Sequence, residues 1–266
     1  MKRGLKAALG VSIIPALVER CATMPTGKQA FMIYTEDMER EVGKQYFSEF
    51  LSHVHRSNDT RMVEIVKRVG KRVASVSPRP NYEWQFELIA SQKVNAFAAA
   101  GGKVALYEGM LKICRNEAGI ACVLGHEVGH AVARHAGQRM SQNTMVSAAK
   151  IGVDIGLANN KNKDLIKAGV EIGTEVGILL PFSREHEYEA DNLGFQYMAK
   201  AGYDPEEAIG LWERYISASG SESAIWEFFS THPMSLNRLK QMRSFLPWAR
   251  KMYQASAEKF GSGETL

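Results

Sequence analysis

The segment CVLGHEVGHAVARH, residues 122–135, constrains this chain more than any other. Between residues 118 and 133 the only formal charge is Glu127, and apolar residues occur at every angle around a helix axis. A helix of this kind is buried on all sides, and a carboxylate inside it needs a partner because an unpaired buried charge is costly. The chain must therefore fold around a polar centre carried by its most apolar helix.

The polar centre has the spacing of a zinc site. His126 and His130 stand four residues apart, so both rings leave one face of the helix, and Glu127 lies beside them. Zn²⁺ accepts two imidazole nitrogens and a carboxylate and leaves a fourth position for water, which it acidifies. Glu127 is then the predicted general base. Gly125 and Gly129 allow another backbone or a substrate to approach closely.

The third ligand has to come from a second segment. Ala133 and Ala136 stand where the metzincin pattern requires glycine and histidine, and His135 falls one residue short, so that class is excluded. The helix-like segment SREHEYEAD, residues 183–191, supplies candidates. It contains two pairs at i,i+4 spacing, Glu187 with Asp191 and Glu185 with Glu189. Spacing alone does not decide which pair serves the metal.

Three motifs in order resemble a known family. HEVGH, SREHEYEAD and THPMSLNRL (residues 231–239) are similar to those of the HEXXH zinc metallopeptidases, the gluzincin family of the CAAX prenyl endopeptidases, HtpX, LoiP and BepA. In size and layout the chain most resembles the periplasmic lipoprotein peptidases of the LoiP type. The resemblance implies an α+β, predominantly helical, gluzincin-type metallopeptidase domain with a small mixed sheet, whose edge strand borders the active-site helix.

The resemblance also implies roles for individual residues. The family pattern SRxxExxAD makes Glu187 the third ligand of one Zn²⁺ per chain, and it makes Asp191 the residue that orients a ligand histidine. His232 resembles a catalytic histidine that stabilises the oxyanion or occupies the open metal position as a latch. Arg238 is expected to support it. A lone His-Pro is otherwise typical of a helix N-terminal turn.

The stretch between residues 95 and 109 resembles the substrate-binding edge strand of the family. An exposed strand edge beside the metal pairs with an extended peptide backbone, which predicts loose side-chain specificity. The expected substrate-binding residues are Asn95, Ala96, Phe97 and Ala98. Alanines stand where the family usually has Leu-Pro, so the lip of the cleft is expected to differ. An ordinary small sheet is the alternative.

The first twenty residues look like an export signal. A basic start precedes an uncharged apolar run over residues 7–18, which is too short to span a membrane. Cys21 follows directly and suggests lipid attachment, although Glu19 and Arg20 stand where small residues are usual. The prediction is a signal peptide over residues 1–20 and a lipoprotein on the periplasmic side of the cell envelope.

The remainder reads as a tether and one domain. Residues 21–34 are interpreted as an extended tether and residues 35–266 as a single metallopeptidase domain. Helices are predicted over residues 35–53 and 58–76, strands over 82–90 and 103–109, and mostly helix after residue 116. The segment 145–182 carries too many charges to span a membrane, so packed helices are expected there. Cys114 and Cys122 are interpreted as buried thiols.

Net charge gives no sign of a nucleic-acid partner. Of the formal net charge of +4, residues 1–20 contribute most, with four basic side chains against Glu19. The predicted function is a zinc-dependent endopeptidase that acts on extended or misfolded envelope proteins, alone or beside the envelope assembly machinery. The alternative is a chaperone or assembly factor for outer-membrane proteins whose metal is structural or regulatory. A deformylase is disfavoured because neither Cys114 nor Cys122 reaches the face of the two histidines.

Overall fold

The structure is a computed structural model that describes residues 21–24, 26–151, 166–167, 170–171, 182–218, 226–233, 235–261 and 266. Its strands are β1 (Cys21–Thr23), β2 (Gln29–Phe31), β3 (Gln85–Ile89), β4 (Ala96–Ala99) and β5 (Lys103–Tyr107). Its helices are α1 (Glu36–His53), α2 (Thr60–Ser75), α3 (Glu108–Cys114), α4 (Glu117–Val132), α5 (His135–Ile151), α6 (Arg184–Lys200), α7 (Glu206–Ala218), α8 (Trp226–Thr231) and α9 (Leu236–Ala255). The expected α+β, mainly helical class is confirmed.

The main sheet is small and mixed. Its order is β3-β5-β4, with β5 parallel to β3 and antiparallel to β4. The strand β4 therefore has one neighbour in the sheet and forms its edge, as the resemblance implied. The ring of Phe97 packs between Tyr46, Phe47 and Phe50 of α1, so one face of this edge strand belongs to the core.

Local signals set the first two helices. The side chain of Thr35 accepts a hydrogen bond from the Met38 amide, and Asp59 does the same for Met62, so each helix begins one residue after its cap. The predicted bounds of 35–53 and 58–76 differ from the observed helices by no more than two residues at either end. The helix boundaries here follow from capping chemistry.

The segment interpreted as a tether is not a free extended chain. Strands β1 and β2 form an antiparallel hairpin, with Cys21 opposite Phe31. The turn between them closes with a bond from the Gly27 amide to the Met24 carbonyl, and Gly27 takes a positive φ of 85°. Behind the hairpin, Ile33 and Tyr34 are buried in a cluster with α1 and α5. Apolar burial therefore attaches residues 21–34 to the domain.

Helix α4 is enclosed on every side, as its composition predicted. Every residue from Ala118 to Val132 is buried, including the histidines and the glutamate of the motif. The helix begins at Glu117, directly after its cap Asn116, whose side chain accepts a hydrogen bond from the Gly119 amide. It ends before Arg134, which has a left-handed φ of 57°.

Glycines bring α4 and α6 into contact. A Cβ on Gly194 would lie 2.8 Å from the His126 amide nitrogen, and a Cβ on Gly129 would lie 2.9 Å from the Ala190 carbonyl oxygen. Only residues without a side chain permit this approach of two backbones. Gly125 and Gly129 therefore accommodate another helix, and that helix carries Glu187 and Asp191.

Two further expectations concern cysteines and membranes. Cys114 and Cys122 are both free and buried, and burial raises the pKa of both thiols. Within the described ranges, no helix combines the length and apolar character needed to cross a membrane. The packed helices expected over residues 145–182 lie largely outside the described residues, apart from the end of α5 and four positions near residues 166–171.

Candidate metal centre

Four donor side chains converge between α4, α6 and the end of α8. One ligand atom from each of His126, His130, Glu187 and His232 lies within 4.8 Å of the other three, and all four residues are buried. The Nε2 atoms of His126 and His130 are 3.0 Å apart, and Glu187 Oε1 lies 3.4 Å from His130 Nε2. The structure therefore brings together the three ligands expected from the resemblance and adds His232 to them.

The donor set fits zinc. Three imidazoles and one carboxylate are ligands that Zn²⁺ takes in tetrahedral sites, and their donor atoms lie within 4.8 Å of one another. Glu127 is fully buried beside them, and neither of its carboxylate oxygens has a hydrogen-bond partner among the described residues. Buried polar atoms without partners are rare unless they serve a bound group. A metal-bound water in the place that His232 takes in this cluster would give the Glu127 carboxylate the partner it lacks.

Glu187 rather than its neighbours faces the cluster. Glu185 is exposed, and Glu189 turns to the other side of α6, where its Oε2 accepts a bond from Lys28 Nζ at 2.6 Å. Burial alone would raise the pKa of Glu187, but His232, His130 and Arg238 hold it well below its usual range. The carboxylate is therefore ionised, which is the form that binds a cation.

Asp191 lies behind His126, opposite the cluster. His126 Nδ1–H donates to Asp191 Oδ1 at 2.9 Å, which leaves His126 Nε2 directed at the other ligands. Arg238 donates to both Asp191 oxygens at 2.7 Å and lies 2.7 Å from Glu187 Oε2. Burial would raise the pKa of Asp191, but Arg238 and His126 outweigh it and lower that pKa. One guanidinium thus holds two carboxylates of the site.

His232 faces two groups at once. Its Nδ1 lies 3.1 Å from Glu187 Oε1 and 3.2 Å from His126 Nε2, inside the cluster. Its Nε2 lies 3.5 Å from Glu127 Oε1. Burial raises the pKa of Glu127, although His232, His126 and the backbone of Ala98 act in the opposite direction. His232 therefore stands between the proposed base and the ligands.

Of the four expected substrate-binding residues, three have buried side chains and the fourth has its backbone near Glu127. Asn95, Ala96 and Phe97 are buried, and Asn95 Oδ1 accepts a hydrogen bond from the amide of Ala96, the first residue of β4. Their side chains are therefore enclosed by the domain, and substrate binding through the backbone of this stretch stays a prediction. Ala98 is half-buried, and its backbone lies near Glu127.

The sequence did not indicate that Phe182 and His135 contact the ligand His130. Phe182 packs on His130 with ring centroids 4.1 Å apart, and the Arg139 guanidinium lies 4.3 Å above the Phe182 ring. The His135 Nδ1 atom lies 2.9 Å from the His130 Nδ1 atom. Phe182 carries no local signal beyond its place before the Ser183 cap. His135 was visible as a third histidine in the motif, but only as a rejected metal ligand.

The comparisons with known proteins agree with this centre. The profile described as Peptidase family M48 matches residues 61–246, more than half of the chain. The chain belongs to peptidase family M48. Its membership makes it a zinc metallopeptidase, and the four-donor cluster lies within the matched residues.

Individual relatives of this M48 chain come from mitochondria and bacteria. The chain is 34% identical over 223 residues to the mitochondrial metalloendopeptidase OMA1 of Schizosaccharomyces pombe, which covers 83% of this chain and 62% of that protein. It is 27% identical over 255 residues to the beta-barrel assembly-enhancing protease of Escherichia coli K12, which covers 93% of this chain and 52% of that protein. The chain thus spans between half and two thirds of the length of these relatives.

Proposed function

We propose that this M48 peptidase is an endopeptidase that cleaves extended or misfolded proteins of the cell envelope, with His126, His130 and Glu187 as zinc ligands. The single observation that carries the proposal is the convergence of these donors beside a buried Glu127 without hydrogen-bond partners, next to the backbone of an edge strand. When bound, zinc acidifies water and polarises the carbonyl of a peptide bond. The protein side chains then have to position the substrate and move protons.

In this proposal Glu127 moves the proton. Its residue follows His126 directly in α4, and burial raises the pKa of its carboxyl, which favours a base that takes up a proton and later releases it. It accepts a proton from the attacking water and later donates it to the leaving amine. Asp191 holds His126 in the tautomer with a free Nε2, and Arg238 fixes Asp191 and Glu187 in place.

Strand β4 is the proposed binding edge for the peptide backbone. Within the described part of the chain it pairs with β5 on one side only, and its Ala98 backbone lies near Glu127, so a peptide paired with this strand passes close to the base. An apolar cavity beside the strand is lined by residues that include Val42, Tyr46, Ala100, Met140 and Phe182. This cavity accepts an apolar side chain of the bound peptide. Unfolded proteins expose such side chains, which supports them as the substrate class.

His232 is proposed as a latch in the resting enzyme. Its Nδ1 lies among the donors and completes a set of four, which leaves no open corner for water. When His232 withdraws, its Nε2–H becomes a donor for the oxyanion near Glu127. Replacing His232 with Phe separates the two roles, because a latch alone predicts faster turnover and an oxyanion donor predicts slower turnover. Unchanged turnover together with unchanged zinc affinity would remove both roles.

The envelope location is proposed from residues 1–21. The signal-like run and the cysteine after it support export and lipid attachment, and Cys21 is exposed at the start of β1. The name of the Escherichia coli relative, beta-barrel assembly-enhancing protease, supports outer-membrane proteins as substrates or partners. Cell fractionation of the wild type and of Cys21→Ser tests the anchor. A Cys21→Ser protein that remains membrane-bound would contradict lipid attachment at this residue.

The deciding experiment is digestion of unfolded casein by the protein with and without a zinc chelator, beside Glu127→Gln. Loss of the general base should lower turnover by about 10²–10⁴-fold, while zinc remains bound because Glu127 is not a ligand. Equal turnover in the variant would refute the mechanism. The chaperone alternative predicts that Glu127→Gln still prevents aggregation of unfolded proteins and restores the function of a deletion strain.

A further inference from the structure

The two motif histidines have different neighbours on the side away from the cluster. Asp191 accepts a hydrogen bond from His126, but no carboxylate takes this place behind His130 among the described residues. The atom opposite His130 Nδ1 is instead His135 Nδ1, at 2.9 Å. His135 is the first residue of α5 and is fully buried. The second ligand histidine is therefore oriented by an imidazole.

The geometry fixes which nitrogen carries each proton. His130 Nε2 faces the other donors and must be unprotonated to bind a metal, so the proton of its neutral ring lies on Nδ1. The His130 Nδ1–H group points at His135 Nδ1. His135 can accept this hydrogen bond only if its Nδ1 is unprotonated and carries a lone pair. The proton of His135 then lies on Nε2, on the far side of the ring.

The far side of His135 faces a carboxylate. His135 Nε2 lies 3.6 Å from Glu189 Oε2, which is an electrostatic contact and longer than a hydrogen bond. Glu189 is buried, and the same Oε2 accepts a bond from Lys28 Nζ in the β1–β2 hairpin. A negative charge at this position favours the tautomer of His135 that has its proton on Nε2. Lys28 of the β1–β2 hairpin thus holds the Glu189 carboxylate beside His135.

We propose that His135 and Glu189 are positioning residues for the zinc ligand His130, forming a relay from His130 through His135 and Glu189 to Lys28 that mirrors the direct contact of Asp191 with His126. This relay rests on the proposed role of His130 as a ligand but not on any substrate. It gives a function to Glu189, a member of the i,i+4 pair that does not supply a metal ligand. It also gives a function to the third histidine of the HEVGHAVARH motif.

The test measures zinc affinity rather than peptide cleavage. His135→Leu removes the acceptor for His130, whereas His135→Asn retains an oxygen close to the position of Nδ1. The matched control is His186→Leu, because the His186 ring stacks on His135 at 4.2 Å without contacting His130 in the described structure. The zinc dissociation constant of each protein is measured by competition with a chromophoric chelator, and thermal unfolding of the metal-free proteins reports whether each is folded.

The expected result is a loss in affinity of roughly 10–100-fold for His135→Leu, with His135→Asn and His186→Leu close to the wild type. Glu189→Gln, which keeps the side-chain size, should lose less than His135→Leu. Wild-type affinity in His135→Leu would overturn the relay, and so would an equal loss in His135→Asn or His186→Leu, which would indicate packing. If the wild type itself binds no zinc, the proposed site fails rather than the relay.

A measurement on the unaltered protein covers the case in which His135→Leu does not fold. In the zinc-loaded wild type labelled with ¹⁵N-histidine, the relay requires a slowly exchanging proton on His130 Nδ1 that couples to His135 Nδ1 as acceptor. A His130 ring with its proton on Nε2, or a His135 ring with its proton on Nδ1, would contradict the assignment.

Discussion

Two buried arginine–carboxylate pairs flank helix α4, and they serve different ends. Arg238 donates to both oxygens of Asp191 at 2.7 Å, and Arg134 donates to both oxygens of Glu39 at 3.0 and 2.8 Å. The first pair also contacts Glu187, a member of the donor cluster. The second lies at the C-terminal end of α4 and ties it to α1. The same fork geometry therefore supports the metal centre in one place and only the fold in the other.

The pairs also differ in the direction of their carboxylate pKa values. Burial raises both, but around Asp191 the Arg238 and His126 contacts outweigh burial and the pKa is lowered. Around Glu39 burial wins over Arg134, and the pKa rises to about 7. Arg238 and a histidine face Asp191 together, whereas Glu36 adds a repulsive charge near Glu39. The hydrogen bond from His126 to Asp191 and the repulsive charge of Glu36 beside Glu39 thus separate the two cases.

The largest expected effect is that of Arg238→Met. This change leaves Asp191 and Glu187 buried without their cation, so the free energy of unfolding should fall by about 3–5 kcal/mol. Zinc affinity should fall by roughly 10–100-fold, because the residues that orient the ligands lose their support. Chemical denaturation and chelator competition measure the two quantities. Retention of full zinc affinity would place Arg238 with Arg134 as a structural residue.

Arg134→Met is the matched change at the other pair. It strands Glu39 and removes the bond from Arg134 to the Tyr34 carbonyl, so stability should fall by about 3–5 kcal/mol at pH 8. The zinc dissociation constant of the folded protein should stay at the wild-type value, since neither partner contacts the donor cluster. A parallel loss of zinc affinity would break the distinction between the two pairs.

An intermediate effect is expected for Gly194→Ala. The added Cβ would lie 2.8 Å from the His126 amide nitrogen, so α4 and α6 must separate, at a cost of about 1–3 kcal/mol. Zinc affinity should fall with it, because α6 carries Glu187. Gly210→Ala is the control: its Cβ would meet only the flexible end of Arg214, and helix propensity favours alanine by up to about 1 kcal/mol. Equal effects of the two changes would refute the close-contact argument.

The last effect is a dependence of stability on pH through Glu39. Its pKa of about 7 in the folded protein exceeds the value of 4.5 expected for an unperturbed glutamate, so the folded state binds this proton more tightly. The contribution is present in full below about pH 4.5 and is lost as the pH rises through 7. The free energy of unfolding of the wild type minus that of Glu39→Gln should therefore decrease from pH 5 to pH 8. An increase over this range would reverse the assigned direction.

The features that could be predicted from the sequence are those that depend on the spacing of neighbouring residues. The i,i+4 histidines, the enclosed helix around Glu127 and the helices predicted over residues 35–53 and 58–76 all follow from neighbours in the chain. The choice of Glu187 over Glu185 or Glu189 came only from the family resemblance. In the structure it depends on which face of α6 packs on α4, and that packing is set by residue pairs far apart in sequence.

Contacts between distant segments were not predictable from pattern. The β1–β2 hairpin has strands of only three residues, too short to show a two-residue period, so it read as a tether. Its bond from Lys28 to Glu189 joins residues 161 positions apart. The stacking of Phe182 on His130 likewise required the folded arrangement, whereas the place of His232 near the metal ligands was expected from the family resemblance.

The complete enclosure of α4 determines which parts of this peptidase are able to move. Helix α4 is packed against other elements on every side and has no room to shift or rotate, so His126, Glu127 and His130 are held in fixed positions. Withdrawal of His232, the latch that we propose, would therefore involve the six-residue helix α8 that precedes it rather than α4.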